Sequence, residues 1–261
     1  MIERKVKPVR ALERGLDVLI EIRRCRAASL HDLHLRLALP KATLLRMLVT
    51  LAGRGLIWQR MADGAYLPSE RSDEAAWLAE IASPHLAALS RLVAWPSVLA
   101  VPRADHVEVV ETNSPLARLD AATLGPVGTK LSFIHTATGR ACLAASPPGE
   151  REAILARIRP DDASPGSIAA LDLILAEAAA RGWASRDPPH PWPDRSRVEV
   201  VRDGRRSIAV PIRLAGRAVA AINITWPHRR TSQDEIVARH LPTLLATAKA
   251  IGAEAETAIG A

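Results

Sequence analysis

Aromatic side chains are scarce: one Phe, one Tyr and six Trp make up 3% of the 261 residues. A core built from this chain is therefore aliphatic, and an aromatic ligand would rest mainly on aliphatic walls and Trp. Only Cys25 and Cys142 are present, too few and too far apart for a disulfide framework or a cysteine zinc site. Both are expected as small buried hydrophobes. The longest apolar stretch near the middle, 169–180, is interrupted by Asp172 and Glu177, short of the roughly 18 apolar residues of a membrane span. The first residues carry Glu3, Arg4, Lys5, Lys7 and Arg10 in place of the apolar region of a secretory signal. The expected location is therefore cytoplasmic, with no membrane partner.

Signatures of catalysis are missing as well. There is no Gly-x-Ser-x-Gly elbow, no glycine-rich phosphate loop ending in Lys-Ser/Thr, and no His-Glu-x-x-His, so no enzyme and no cofactor is expected. His31 and His34 have a spacing that can chelate a metal, but no carboxylate or Cys cluster accompanies them, and no metal site is expected. Cys142 lies near His135 but falls within an apolar helical stripe, which favours packing over nucleophilic chemistry. Glu108 and Glu111 fall on a hairpin pattern and are expected to face solvent rather than act as paired acids.

What is present is an ordinary folding composition, 48% hydrophobic and 24% charged, in a length that suits two modest domains. The charge is unevenly placed. Residues 1–72 hold 14 Lys and Arg against 7 Asp and Glu, whereas 73–261 are balanced at 21 of each. The entire excess of +7 sits in the first quarter, and a positive field confined to a small segment draws polyanions through counterion release.

The pattern inside that quarter is helical. Leu12, Leu16, Leu19 and Ile20 recur at helical spacing across 9–25, with Arg14, Arg23 and Arg24 outside the stripe. Ser29 followed by Asp32 reads as the cap of a second, short helix. Pro40 fits the first turn of a third, whose buried stripe is Leu44, Met47, Leu48 and Leu51. Only Ala38 and Leu39 separate the second and third helices, the connection of a helix-turn-helix. Pro40, Lys41, Ala42 and Thr43, with Arg46 one turn on, form a small, polar and basic end able to approach bases and phosphates. The runs 56–60 and 65–67 around Asp63-Gly64 read as a hairpin wing, with Arg60 placed to touch phosphate.

Beyond this segment, 72–94 is a helical stretch with a break or fresh start expected at Pro84. Hairpins are expected at 97–101 with 107–112, and at 206–214 with 217–226 around Ala215-Gly216. Helices are expected over 136–145, 149–157, 168–181 and 232–255, the last with Pro242 early in it. Strands in one sheet covered by helices define an α+β domain.

The run Val9-Arg10-Ala11-Leu12-Glu13-Arg14-Gly15-Leu16, the segment from Leu39-Pro40-Lys41 to Arg46-Met47-Leu48, and Leu51 with Gly55-Leu56-Ile57 resemble the DNA-binding domain of IclR-family bacterial transcription regulators. The likeness continues through Gly128-Thr129-Lys130-Leu131, Thr136 to Ala141, Arg181-Gly182-Trp183-Ala184, Ser207 to Ile212 and Ala220 to Thr225, so it spans essentially the whole chain. Family members commonly carry Gly at position 38, Ser or Thr at 42 and a polar residue near 45, where this chain has Ala38, Ala42 and Leu45. Glu111-Thr112, Arg118-Leu119, Ser207 to Pro211 and Arg239-His240-Leu241-Pro242 are most similar to MhpR-type activators of hydroxyphenylpropionate and related aromatic-acid catabolism.

The resemblance implies a winged helix-turn-helix at 1–72, a linker helix at 73–94 and a GAF-like effector domain at 95–261. It implies double-stranded operator DNA as partner, contacted by Arg14, Pro40, Lys41, Ala42, Thr43, Arg46 and Arg60. It implies a small organic acid, expected to be aromatic, bound by Ala137, Thr138, Ser207, Asn223 and Thr225. Helix-start N–H groups with hydroxyl and amide side chains suit a carboxylate. Homodimers or homotetramers and contact with RNA polymerase complete the implied partners. Three alternatives stand beside this reading: an aliphatic effector such as a 2-oxo acid, a sequence-independent DNA binder, and an enzyme built on the second domain.

Overall fold

The computed structural model describes residues 9–70, 73–118, 125–193 and 204–260; Glu3, Arg4, Lys5, Lys7 and Leu119 lie outside them. Helix α1 (Arg10–Cys25) forms as its periodicity predicts, but its apolar residues divide between two faces. Val18, Leu19 and Ile22 are buried, whereas Leu12, Leu16 and Ile20 are exposed. Positions 12, 16 and 20 step by four and lie about 100° around the helix from the buried line, which alone meets the neighbouring helices. Ser29 caps α2 (Leu30–Leu37) in a reciprocal box: its hydroxyl accepts the Asp32 N–H at 3.1 Å, and the Asp32 carboxylate accepts the Ser29 N–H at 3.0 Å.

Helix α3 (Lys41–Gly53) starts one residue later than expected. Pro40 is its cap, with ψ 139° outside the helical range, instead of a first-turn residue. The α2–α3 turn is made by Ala38 in the left-handed region at φ 51°. Strands β1 (Ile57–Gln59) and β2 (Tyr66–Pro68) pair as the wing, and Tyr66 also exchanges two backbone hydrogen bonds with Ala28 ahead of α2. Val18, Ile22, Leu33, Leu44, Leu48 and Ile57 close one core of aliphatic side chains with Tyr66.

Helix α4 (Glu74–Leu92) runs through Pro84 without the expected break. Proline there removes the N–H that would reach the carbonyl of Glu80, and the chain's two compact units divide between Glu80 and Ile81.

Among the described residues, the second unit holds one six-stranded antiparallel sheet in the order β5-β4-β3-β8-β7-β6. Its strands are β3 (Val98–Pro102), β4 (Val107–Thr112), β5 (Lys130–Leu131), β6 (Ala184–Ser185), β7 (Arg205–Leu214) and β8 (Arg217–Pro227). Both central hairpins match the sequence pattern. At the β7–β8 turn, Ala215 and Gly216 both have positive φ, 46° and 80°, the backbone that matches strand twist in a two-residue turn. The edge strands β5 and β6 are two residues each, too short to show a period. Helices α5 (Ala137–Ala145), α6 (Pro148–Ile158), α7 (Pro165–Arg181) and α8 (Gln233–Gly260) belong to the same unit, as does α4 from Ile81 onwards.

The two sheet faces carry different residues. Val98, Ala100, Ala209 and Ala221 pack with Ala137, Ala141 and Cys142 of α5 and Leu171 and Leu175 of α7. By alternation Ile208, Val210, Ile222 and Ile224 face the other way, the side on which α8 packs against β7. Gly139 permits the close approach of α5 to the preceding loop, since a Cβ there would lie 2.4 Å from Phe133 Cα and from the Ser132 carbonyl.

Two expectations need correction. Glu111 does not face solvent: it pairs with Leu99 across β3–β4, and both are fully buried. A register shift at Leu99/Ala100 moves Glu111 opposite Leu99, in a strand with no solvent side at that level. Glu108 does meet solvent in part and is paired with Arg103 at 2.6 Å. Cys142 is fully buried, but Cys25 is only half-buried, and its thiol donates to Glu21 at 3.3 Å.

Candidate functional site

In the first unit, Pro40, Lys41, Ala42 and Arg46 are exposed and Thr43 is partly so, all off the Leu44, Leu48 and Leu51 line that faces the core. The third helix thus presents a basic, small-residue end to solvent, flanked by exposed Leu45 and Val49. Arg14 is exposed on α1. Arg60 is engaged within the wing: Nε donates to Asp63 Oδ1 at 3.0 Å and Nη2 to Oδ2 at 2.7 Å. That pairing stiffens the turn and leaves only its remaining N–H groups for any further acceptor.

In the second unit, Ala137 and Thr138 form the first turn of α5. Thr136 caps that helix, its hydroxyl accepting the Gly139 N–H at 3.0 Å and its carbonyl the Arg140 N–H at 3.1 Å. The N–H groups of Ala137 and Thr138 have no intrahelical partner, and they carry the positive end of the helix dipole. Ser207 and Thr225 are direct cross-strand partners. Asn223 lies on the same face, donating to Thr225 Oγ1 at 3.2 Å and accepting the Val98 N–H at 2.8 Å. Ala209, the partner of Asn223, packs in the α5 layer, so all three polar side chains stand on the side of the sheet that α5 covers. Two of the five predicted residues thus stand at the start of α5, and the other three share the sheet face that α5 covers.

A cavity of about 450 Å³ opens on their chain neighbours, with His135, Arg186, Asp187, Arg205, Arg206 and His228 in its walls. None of the five lines it. Sequence reasoning also missed the group that builds its wall. Arg140 is fully buried and donates Nε to the Ile134 carbonyl at 2.7 Å, Nη1 to Ser185 at 3.0 Å and Nη2 to Pro188 at 2.7 Å. Burial lowers its pKa to about 10, against the pull of the Asp187 charge, so it stays charged at neutral pH. Asp187 in turn pairs with Arg206. The one available signal was the Gly139-Arg140 pair inside the helix-start motif.

Among the described residues no group of three His, Cys, Asp or Glu could hold a metal. His34 Nδ1 meets the Leu39 carbonyl at 2.8 Å. Burial pushes the Cys142 thiol up to about 12, the opposite of an activated nucleophile. No helix among the described residues is long and apolar enough to cross a membrane.

A winged helix-turn-helix with a basic exposed reading helix, in one chain with an α/β unit that gathers a small polar site, defines a ligand-responsive transcription regulator. The chain belongs to the IclR family of bacterial transcriptional regulators: the IclR helix-turn-helix domain matches residues 11–60, and the bacterial transcriptional regulator IclR C-terminal domain matches 74–253. It is 28% identical over 242 residues to the HTH-type transcriptional regulator BhcR of Paracoccus denitrificans, covering 88% of this chain and 82% of that one. Its structure is similar to that of a transcriptional regulator from Rhodococcus sp. RHA1, with 28% identity, a TM-score of 0.57, and 95% and 99% of the two chains covered. It is also similar to an IclR homologue from Microbacterium hydrocarbonoxydans complexed with 4-hydroxybenzoate, with 24% identity, a TM-score of 0.51, and 93% and 98% covered. The family consists of DNA-binding regulators with an effector-binding C-terminal domain, not enzymes.

Proposed function

We propose that this regulator reads operator DNA with Lys41, Ala42, Thr43 and Arg46 of α3, entered at Pro40, while Arg14 and Arg60 contact phosphates. The second unit binds a small aromatic carboxylate at the Ala137 and Thr138 N–H groups, oriented by Ser207, Asn223 and Thr225. In functional terms 1–72 is the DNA-binding domain, 73–94 the linker helix and 95–261 the effector domain. The protein acts as a homodimer or homotetramer, because two reading helices about one DNA turn apart are needed for useful specificity, and contact with RNA polymerase is part of the same reading.

The observation that carries the proposal is the capped start of α5 over the face holding Ser207, Asn223 and Thr225: helix-end donors and neutral polar side chains receive an anion without a buried counter-charge. An aromatic body is supported by Phe133 and Trp192, which pack in the same core as Ala137, and by the 4-hydroxybenzoate complex of the Microbacterium relative.

The test is footprinting of the protein on DNA flanking its own gene, with 4-hydroxybenzoate and with pyruvate. A discrete protected site shifted by the aromatic acid is expected. A site shifted by pyruvate alone replaces the aromatic reading with an aliphatic one, and uniform salt-sensitive coverage indifferent to both overturns it. Arg46→Ala is expected to weaken operator binding by about tenfold or more with the thermal midpoint unchanged. Thr225→Val is expected to blunt the acid response while DNA binding persists.

A further inference from the structure

A second cavity, of about 650 Å³, lies in the effector-binding unit on segments that the site above does not use. Its walls include Trp95, between α4 and β3, Arg118, Arg230 in the turn after β8, and Glu235, Ile236, Arg239 and His240 in the first turns of α8. Three guanidinium groups from three separate stretches of chain therefore share one concavity.

Their charge is not balanced by the carboxylate beside them. Glu235 Oε2 is turned back onto the start of its own helix, accepting from the Thr231 hydroxyl at 2.7 Å, the Ser232 N–H at 2.9 Å and the Ser232 hydroxyl at 3.1 Å. Those bonds, the one from Thr231 first, hold its pKa below the ordinary value, and its charge serves the helix end. Arg118 uses Nη2 to donate to the Arg91 carbonyl in the last turn of α4, at 3.1 Å, which leaves the rest of its donor fork. His240, lowered by burial and then by the Arg239 charge, is a neutral donor and acceptor at pH 7. Half-buried Trp95 and buried Ile236 supply an apolar floor.

Like charges gathered in a partly enclosed space repel one another, and a bound anion relieves that repulsion. We infer that this cavity is a second ligand site, taking an organic carboxylate with an aromatic body. The carboxylate meets the planar donors of Arg118, Arg230 and Arg239, and the body lies on Trp95 and Ile236. The volume suits a ligand of this class, and a molecule bound here touches the end of α4 and the start of α8 together. The inference does not depend on the site at α5.

The experiment is calorimetric titration of the full chain with benzoate, with acetate and inorganic phosphate as anions lacking the aromatic body. Arg230→Ala with Arg239→Ala is the test variant; both side chains are exposed, so the fold is expected to hold, and circular dichroism checks it. Two benzoate equivalents per chain are expected in the unaltered protein. One is lost or weakened at least tenfold in the double arginine variant, and the other is lost in Thr225→Val. Undiminished stoichiometry and affinity in the arginine variant overturns the second site, as does a single equivalent abolished by Thr225→Val, or no benzoate binding at all. Acetate or phosphate binding as tightly as benzoate overturns the aromatic body. A changed sedimentation coefficient of the arginine variant with unchanged benzoate binding assigns the cavity to contact between copies and also overturns the proposal. If only the arginine variant loses binding, this site stands and the α5 site falls.

Discussion

Asn113 donates its side-chain amide to the carbonyl of Leu86 in α4, 3.1 Å away, from a position with no solvent exposure. Its Oδ1 accepts the Ser97 N–H at 2.7 Å, while the next N–H along, that of Val98, is held by Asn223 Oδ1 at 2.8 Å. Two asparagines thus grip successive donors at the start of β3, one tied to α4 and the other to the candidate carboxylate site. A ligand that moves Asn223 moves the strand start that Asn113 links to the helix leading towards the DNA-binding unit. Removing Asn113 leaves buried polar groups without this partner, so Asn113→Ala is expected to cost about 2 kcal/mol in urea unfolding. Benzoate affinity at the α5 site is expected to stay within about twofold, while the benzoate-driven change in operator affinity falls sharply. An intact response in Asn113→Ala shows that the coupling runs elsewhere.

Arg140 tests the scaffold of the smaller cavity. Arg140→Met keeps much of the apolar stem but leaves the buried carbonyls of Ile134 and Ser185, and the partly buried one of Pro188, without their donor. A loss of about 3 kcal/mol or more is expected in urea unfolding of the second unit. Arg140→Lys is expected to recover only part of it, because a single ammonium does not span three acceptors fixed by a planar fork. Full rescue by lysine would show that the charge matters and the geometry does not.

These two residues mark where the sequence stopped being legible. Local relations were readable: the Ser29–Asp32 box lies within one helical turn, the Ala215-Gly216 turn sits between two alternating runs, and Asn223 and Thr225 share a face through the two-residue strand period. The pairing of Ser207 with Thr225 follows once that hairpin register is set. Arg140 reaches acceptors 6, 45 and 48 residues away, all of them backbone carbonyls, which every residue carries and no motif marks. Glu111 was misplaced because its burial depends on a bulge in its own strand, where Val110 has no partner between the Leu99–Glu111 and Ala100–Val109 pairs. The exposed Leu12, Leu16 and Ile20 follow from which line of α1 its neighbours meet, a tertiary fact that periodicity alone does not contain.

Ala38 offers a gain instead of a loss. A side chain with a Cβ held at φ 51° is strained by about 1–2 kcal/mol, whereas glycine adopts that backbone freely at some cost in unfolded-chain entropy. Ala38→Gly is expected to stabilise the helix-turn-helix by about 0.5–1 kcal/mol, read as slower amide exchange across α2 and α3. Equal or faster exchange would show that the turn carries no such strain.

His190 sets a pH dependence whose sign follows from its partners. Nε2 donates to the Ser167 carbonyl at 2.9 Å and Nδ1 accepts the Trp192 N–H at 3.3 Å, so the neutral ring fits and a second proton breaks the Trp192 bond. Burial is the main cause that lowers its pKa below 6.5, and the charges of His135 and Arg140 act in the same direction. The unfolded chain therefore takes up the proton first as pH falls. The stability tied to this group is complete above about 6.5 and is lost as pH falls from there to the folded pKa. Burial lowers His240 with the same sign, so the informative quantity is the difference between the unaltered protein and His190→Gln, whose amide replaces the donor to Ser167 without ionising. The urea midpoint of the second unit is expected to fall between pH 7 and pH 5 in the unaltered protein and to fall less steeply in His190→Gln. Parallel slopes would place the titrating group elsewhere.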